Sequence, residues 1–191
     1  MNSLFAVDAY REKAAGRQAA EQFSGTLLTA HSQETGHLPF AALVVAATDE
    51  TKRFVDTADV GAWLVCARTI RNVPFLALDE ENSPGTVGIF TLKANPSLGA
   101  PAADAWWRDK HAALALEVHE AMTHYYQLSV QHCFHGPDWN GFALCCFHNE
   151  KDLRTKFFNS PEGERAIADD VARFADTKHS PRRVIANIEL T

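Results

Sequence analysis

His111 lies in the segment Trp106-Trp107-Arg108-Asp109-Lys110-His111-Ala112-Ala113-Leu114, on an otherwise apolar helical stripe. Trp107, Leu114, Val118, Ala121 and Tyr125 recur at the spacing of one helix face, and the histidine falls inside it. An imidazole taken out of water needs a hydrogen-bond partner, a cavity water or a ligand. Its ordinary pKa of about 6.5 suits proton transfer near neutrality, and desolvation lowers it. General acid or base chemistry is the function to weigh here. The plain alternative is a core histidine bonded to a backbone carbonyl.

Two more candidates share one face of the strand that follows. Tyr126 can donate to a developing oxyanion, and His132 can move a proton. With His111 they form the candidate catalytic set. Trp106, Phe90, Phe142 and Leu144 are the candidate substrate-binding set, since such side chains suit a flat apolar ligand. The plain readings are a partly solvated strand end for His132 and ordinary core for the rest.

Other patterns narrow the field. His119-Glu120-Ala121-Met122-Thr123-His124 looks like a zinc-protease box, but its histidines are five apart rather than four. That sets them about 140° apart on a helix, and the run reads as surface residues. No metal and no cofactor is expected. There is no GxGxxG, no GxxxxGK[ST] and no GxSxG, which argues against a bound nucleotide and a common serine hydrolase. The formal net charge is -6 and the one basic cluster is Arg182-Arg183, so no nucleic-acid partner is expected. The longest apolar run, Phe40 to Ala47, is too short for a bilayer, and no secretory signal is apparent. These features point to a cytoplasmic protein with no membrane partner. Cys66, Cys133, Cys145 and Cys146 lack metal-ligand spacing and read as reduced packing residues. Cys145 and Cys146 should point to opposite faces of a strand.

The elements that must position these groups read most clearly in the second half. Val87 to Ala94 is a strand, and Asn95 to Pro101 a loop. Asp104 caps a helix running to about His124. Tyr125 to Phe134 and Trp139 to His148 are strands around a Gly136-Pro137-Asp138 turn. Asn149 caps a helix to about Phe158, and Ser160-Pro161 starts another with Ile167, Val171 and Phe174 inside. Pro181 to Leu190 is the last strand. The order β-α-β-β-α-β is the ferredoxin-like plan.

The first half follows the same plan less securely. Ser3 to Val7 is a strand, and Asp8 caps a helix to about Phe23. Gly25 to His31 and Leu38 to Ala47 pair. Asp49 caps a helical stretch with Phe54, Ala58 and Ala62, and Val73 to Leu78 closes the unit. Asp79 to Thr86 is the linker. The division is thus 1–80, a diverged half, and 86–191. Two tandem copies could bury their open sheet faces against each other as an intramolecular α/β-barrel. Without a true repeat a second chain must cover the sheet, which leaves a homodimer open.

The strand Val87 to Ala94, the Trp106-to-Leu114 segment, the two strands that follow, Ser160-Pro161-Glu162-Gly163, Phe174-Ala175-Asp176 and Ser180-Pro181-Arg182 stand in a familiar order. Over 86–191 the chain resembles the EthD domain of the dimeric α/β-barrel superfamily. The resemblance implies an α+β fold of this type. It points to a setting among polyketide cyclases and decarboxylases, cofactor-free monooxygenases, haem-degrading enzymes and proteins without assigned activity. The first-helix histidine, here His111, is the residue the family pattern most often presents. Fold alone does not determine the reaction.

Three function classes follow. One is a small cofactor-independent enzyme, lyase-like (decarboxylase, cyclase or dehydratase) or a monooxygenase, acting on an apolar aromatic or carbonyl compound through His111. A second is a non-catalytic small-molecule-binding or accessory protein of a degradation pathway. The third, a haem-handling protein, ranks lower because no histidine is singled out as an axial ligand.

Overall fold

The computed structural model describes residues 3–31, 39–47, 56–180 and 183–190. Its strands are β1 (Ser3–Tyr10), β2 (Thr26–Ala30), β3 (Ala42–Ala47), β4 (Gly61–Arg71), β5 (Thr86–Leu92), β6 (His124–His135), β7 (Gly141–Phe147) and β8 (Val184–Glu189). They close into one antiparallel barrel in the order β1-β3-β2-β8-β5-β7-β6-β4. The strand order within β1–β4 matches that within β5–β8. The second strand of each set meets the fourth of the other, at β2–β8 and β4–β6. The expected α+β, ferredoxin-like architecture with an intramolecular barrel is the one observed.

Side-chain alternation explains why both faces of most strands are apolar. Phe5, Val7 and Ala9 point into the barrel, whereas Ala6 and Tyr10 meet helix α1 (Lys13–Phe23) outside. The interior is filled by large side chains, with Trp63 stacked on Trp139 at 5.3 Å and Phe142 edge-on to both. Each such buried aromatic stabilises the fold by roughly 1.5–3 kcal/mol relative to exposure. Cys145 belongs to the outer cluster and Cys146 to the interior one, and the four cysteines are free thiols.

The outer face of β5–β8 carries a further set of helical segments. These are α2 (Ala100–Trp106), a π-helical turn (Trp107–His111), α3 (Ala112–Val118), α4 (Glu150–Thr155) and α5 (Pro161–Phe174). Asn149 caps α4 by accepting from the Asp152 N–H, and Ser160 caps α5 by accepting from Gly163 with Pro161 in the first turn, as their types predict. Among the described residues no helix is long and apolar enough to cross a membrane.

Four expectations need correction. Asp8 is not a helix cap but a fully buried residue inside β1, and α1 starts after Glu12. The closing strand of the first half is β4, not Val73 to Leu78, where Phe75–Ala77 forms a 3-10 turn. Ala62 is therefore on a strand. Asp104 lies inside α2, which begins after Gly99, and its carboxylate pairs with Arg68 rather than capping. The helix ends at Val118, and His119 to Thr123 leads into β6, which already contains His124 and Tyr125. Asp49 and Phe54 lie outside the described residues.

Candidate functional site

The site begins with a defect in helix winding. The Ala112 N–H bonds the Trp107 carbonyl, five residues back, in place of the usual four. One extra residue is thus accommodated in the turn. Trp107 and Ala115 are both buried although they stand eight apart, a separation that a regular helix would rotate by about 80°. The indole of Trp107 packs against the backbone at Gly141, where a Cβ would lie 2.6 Å from Cζ3. Arg108, Asp109 and Lys110 of the turn face solvent, while Trp107 and His111 face inward.

His111 is met from the opposite helix. On α5, Ile167, Val171 and Phe174 form the inner stripe, and Asp170 falls within it at helical spacing. Its Oδ2 accepts the His111 Nδ1–H at 2.8 Å, and its Oδ1 accepts the Trp106 Nε1–H at 2.9 Å. Both partners of the ion-pair geometry are nearly sealed, at 9% and 14% side-chain exposure. Burial depresses the imidazole pKa below its ordinary 6.5, opposed by the hydrogen bond and charge of Asp170. The ring is therefore neutral at neutral pH. With Nδ1–H given to the carboxylate, Nε2 keeps its lone pair.

His111 lines a cavity of about 260 Å³ between these helices and the sheet. Phe90, Ala143 and Cys145 form its floor, and Phe157, Ile167 and Phe174 much of its wall. Among the described residues no Lys, Arg, Asp or Glu lines it. Further polar side chains line it: His119, Tyr125 and the hydroxyl residues Thr91, Thr177 and Ser180. His119 donates Nδ1–H to the Phe157 carbonyl at 2.6 Å and packs against the rings of Phe157 and Phe158. Desolvation takes its pKa down to about 4. The Tyr125 hydroxyl accepts from Trp107 Nε1–H at 3.1 Å and from Gln127 Nε2–H at 3.3 Å. Burial pushes the Cys145 thiol up to about 12, which keeps it protonated and poorly nucleophilic.

The structure brings together His111, Trp106 and Phe90 but not the rest of the predicted set. Trp106 reaches the site through Asp170, with Arg173 over its ring at 5.7 Å. Tyr126, Phe142 and Leu144 point into the barrel, on the other side of the sheet from His111. Tyr126 donates to the Val73 carbonyl at 2.9 Å and packs edge-on to Phe75. His132 is exposed near the end of β6. A register shift between β4 and β6 at this point reverses the alternation: Cys133 packs on the interior, and His132 and Phe134 turn to solvent. His132 and Tyr126 thus do not join His111.

Asp170, His119, Tyr125 and Gln127 were not singled out by sequence. Asp170 carried the same signal as His111, one ionisable residue inside an apolar helical stripe. His119 is no surface residue but 3% exposed. Among the described residues no three His, Cys, Asp or Glu side chains cluster as a metal site.

An eight-stranded antiparallel barrel built from two ferredoxin-like strand sets, with a helix-covered cavity on one side, defines the α/β-barrel class. Residues 95–178 match the family model described as the EthD domain. Among solved structures, an anthrone oxidase-like protein superposes with a TM-score of 0.62 at 10% identity, covering 98% of this chain and 91% of that one. A chlorite dismutase variant from Candidatus Nitrospira defluvii in complex with cyanide gives a TM-score of 0.49 at 10% identity, with 98% and 90% coverage. At 10% identity the likeness to the anthrone oxidase-like protein is one of fold. A search of the curated proteins found no significant match.

Proposed function

We propose that the protein is a small enzyme that moves a proton on a neutral, apolar carbonyl compound or phenol, with His111 as acid/base and no added cofactor. The observation that carries this reading is the Asp170 carboxylate holding Nδ1–H of an imidazole that lines an apolar cavity. The tautomer is the one a base needs. The carboxylate stabilises the imidazolium that forms, and burial holds the resting ring neutral. Removal of a proton from an acidic C–H or O–H begins enolisation, cyclisation, dehydration and carbanion routes to oxygenation.

The cavity limits the substrate. An apolar space of about 150 Å³ takes benzene, so about 260 Å³ suits one or two rings. An ionised carboxylate would enter without a counter-charge among the described lining residues, at high cost. Neutral substrates are favoured over carboxylates, which ranks decarboxylation below the other lyase-like reactions.

The test uses 1-indanone in D₂O, with exchange at its α-carbon followed by NMR. The wild-type protein should accelerate exchange, and His111→Ala should lose about 10²–10⁴-fold of that acceleration. Equal exchange by both proteins would remove His111 from the chemistry. A second reading, a non-catalytic binding protein, is favoured by one observation. Asp170 also ties α5 to Trp106, so the carboxylate could serve as a cross-brace. Under that reading His111→Ala lowers stability and binding while exchange never exceeds the solvent rate.

A further inference from the structure

We infer that the Tyr125 hydroxyl donates its proton to an oxygen of the bound ligand, and that Gln127, Arg68 and Asp104 hold it in that role. This builds on the proposed proton chemistry of His111, but it rests on different atoms.

Tyr125 projects from the outer face of β6 and lines the cavity at 1% exposure. Its oxygen already receives two N–H donors. The Trp107 indole can only donate. The Gln127 amide is fixed the same way round by its other neighbours: Oε1 accepts from Arg68 Nη1 at 3.4 Å, and Nε2 donates to the Trp107 carbonyl at 3.0 Å. Turning the amide over would set its NH₂ against a guanidinium and its oxygen against a carbonyl. Arg68 is itself anchored by Asp104 Oδ2 at 2.5 Å.

The polarity of this chain therefore runs one way, from carboxylate through guanidinium and amide to phenol. With its oxygen occupied by two donors, Tyr125 can act on anything further only as a donor. Among the described residues nothing accepts its proton. Burial raises the phenol pKa above its ordinary value, so the group remains protonated through the physiological range. The surrounding walls are mostly hydrocarbon, with the two imidazoles, the Cys145 thiol and the hydroxyl residues Thr91, Thr177 and Ser180 among them. A ligand that satisfies this donor carries a carbonyl or phenolic oxygen at Tyr125, with its acidic hydrogen within reach of His111. In a substrate that enolises, that oxygen is where negative charge develops, so the bond strengthens as the proton leaves.

The probe is 1-indanone carrying a ¹³C carbonyl, read by infrared difference spectroscopy in the full-length protein. Bound to the wild type, its carbonyl band should lie at lower frequency than when bound to Tyr125→Phe, and that variant should bind about tenfold more weakly. Should Tyr125→Phe not fold, Gln127→Glu gives a second measurement. The new carboxylate remains paired with Arg68 but accepts the Tyr125 proton, so the band should move up with the phenol still in place. His111→Ala should leave the band where it is. The same bound frequency in the wild type and the Tyr125 and Gln127 variants would overturn the inference, as would failure of the ketone to bind the wild type. Loss of exchange in His111→Ala with an unshifted band in Tyr125→Phe sinks this inference alone. A shifted band with undiminished exchange in His111→Ala sinks the base assignment alone.

Discussion

Replacing Asp170 by Asn keeps the shape of the side chain and changes the direction of one hydrogen bond. The carboxylate accepts one N–H on each oxygen, from Trp106 and from His111. An amide can accept only one of them. With its oxygen toward Trp106, its NH₂ donates to His111 Nδ1, which must then present a lone pair. The imidazole proton moves to Nε2 and occupies the position needed to take a proton from substrate. Loss of the base should reduce kcat/KM by about 10²–10⁴-fold. Stability should change far less. A hydrogen bond to a charged group contributes about 1.5–3 kcal/mol and a neutral one about 0.5–1.5, so the exchange costs about 1 kcal/mol. Urea unfolding should show that modest shift while turnover collapses. The pH profile adds a sign. The base works deprotonated, so activity falls as pH drops through the His111 pKa, which lies below 6.5. Asp170 raises that pKa, so any residual activity of the variant should hold to lower pH. ¹⁵N chemical shifts of the imidazole report the tautomer directly. An unaltered tautomer with unaltered kcat/KM would refute the reasoning, as would a rate loss accounted for by the unfolded fraction.

Three further outcomes are expected. Asp8 is buried in β1 with its pKa raised by desolvation from 3.8 to about 8, so the folded state keeps a proton that the unfolded chain releases. Its contribution is full below pH 4 and lost as pH rises through 8; Asp8→Asn should therefore stabilise more at pH 8 than at pH 5, by roughly 3–4 kcal/mol in urea unfolding. His119 has the opposite sign, its folded pKa of about 4 lying below the unfolded 6.5, so stability present above pH 6.5 falls as pH drops toward 4. That loss amounts to roughly 3 kcal/mol, and His119→Gln, which keeps a donor for the Phe157 carbonyl, should remove it from the pH dependence of the unfolding midpoint. Gly141→Ala sets a methyl group against the Trp107 ring and should cost about 1–3 kcal/mol of thermal stability while weakening ketone binding.

Much of the architecture was legible because local chemistry and fold agree. Asn149 and Ser160-Pro161 begin helices for reasons contained in their own side chains, and the order of strands and helices in the second half matched the ferredoxin-like plan, with the intramolecular barrel one of two ways to cover its sheet. The site was legible at His111 and blurred around it for three physical reasons. A π-turn shifts the buried register by one residue, so Ala115 rather than the expected Leu114 is fully buried, and no sum of regular helical angles foresees that. The register shift in β6 likewise carries His132 out to solvent. Finally, residues His124 to Ser129 are buried on both faces, so alternation could separate Tyr125 from Tyr126 but not say which looks into the barrel and which toward the helices. Asp8 was misread because a carboxylate before a helical run is far more often a cap than a buried strand residue.

The extra residue between Trp107 and His111 has an evolutionary consequence. Deleting one of the solvent-facing residues, Arg108, Asp109 or Lys110, would leave Trp107 and Ala115 seven positions apart, the spacing at which an ordinary helix stacks its side chains. Both anchors could stay docked while the imidazole between them loses its alignment with the carboxylate on α5. A three-nucleotide indel would then suffice to silence or restore the proton chemistry proposed for His111 and leave the barrel beneath it undisturbed.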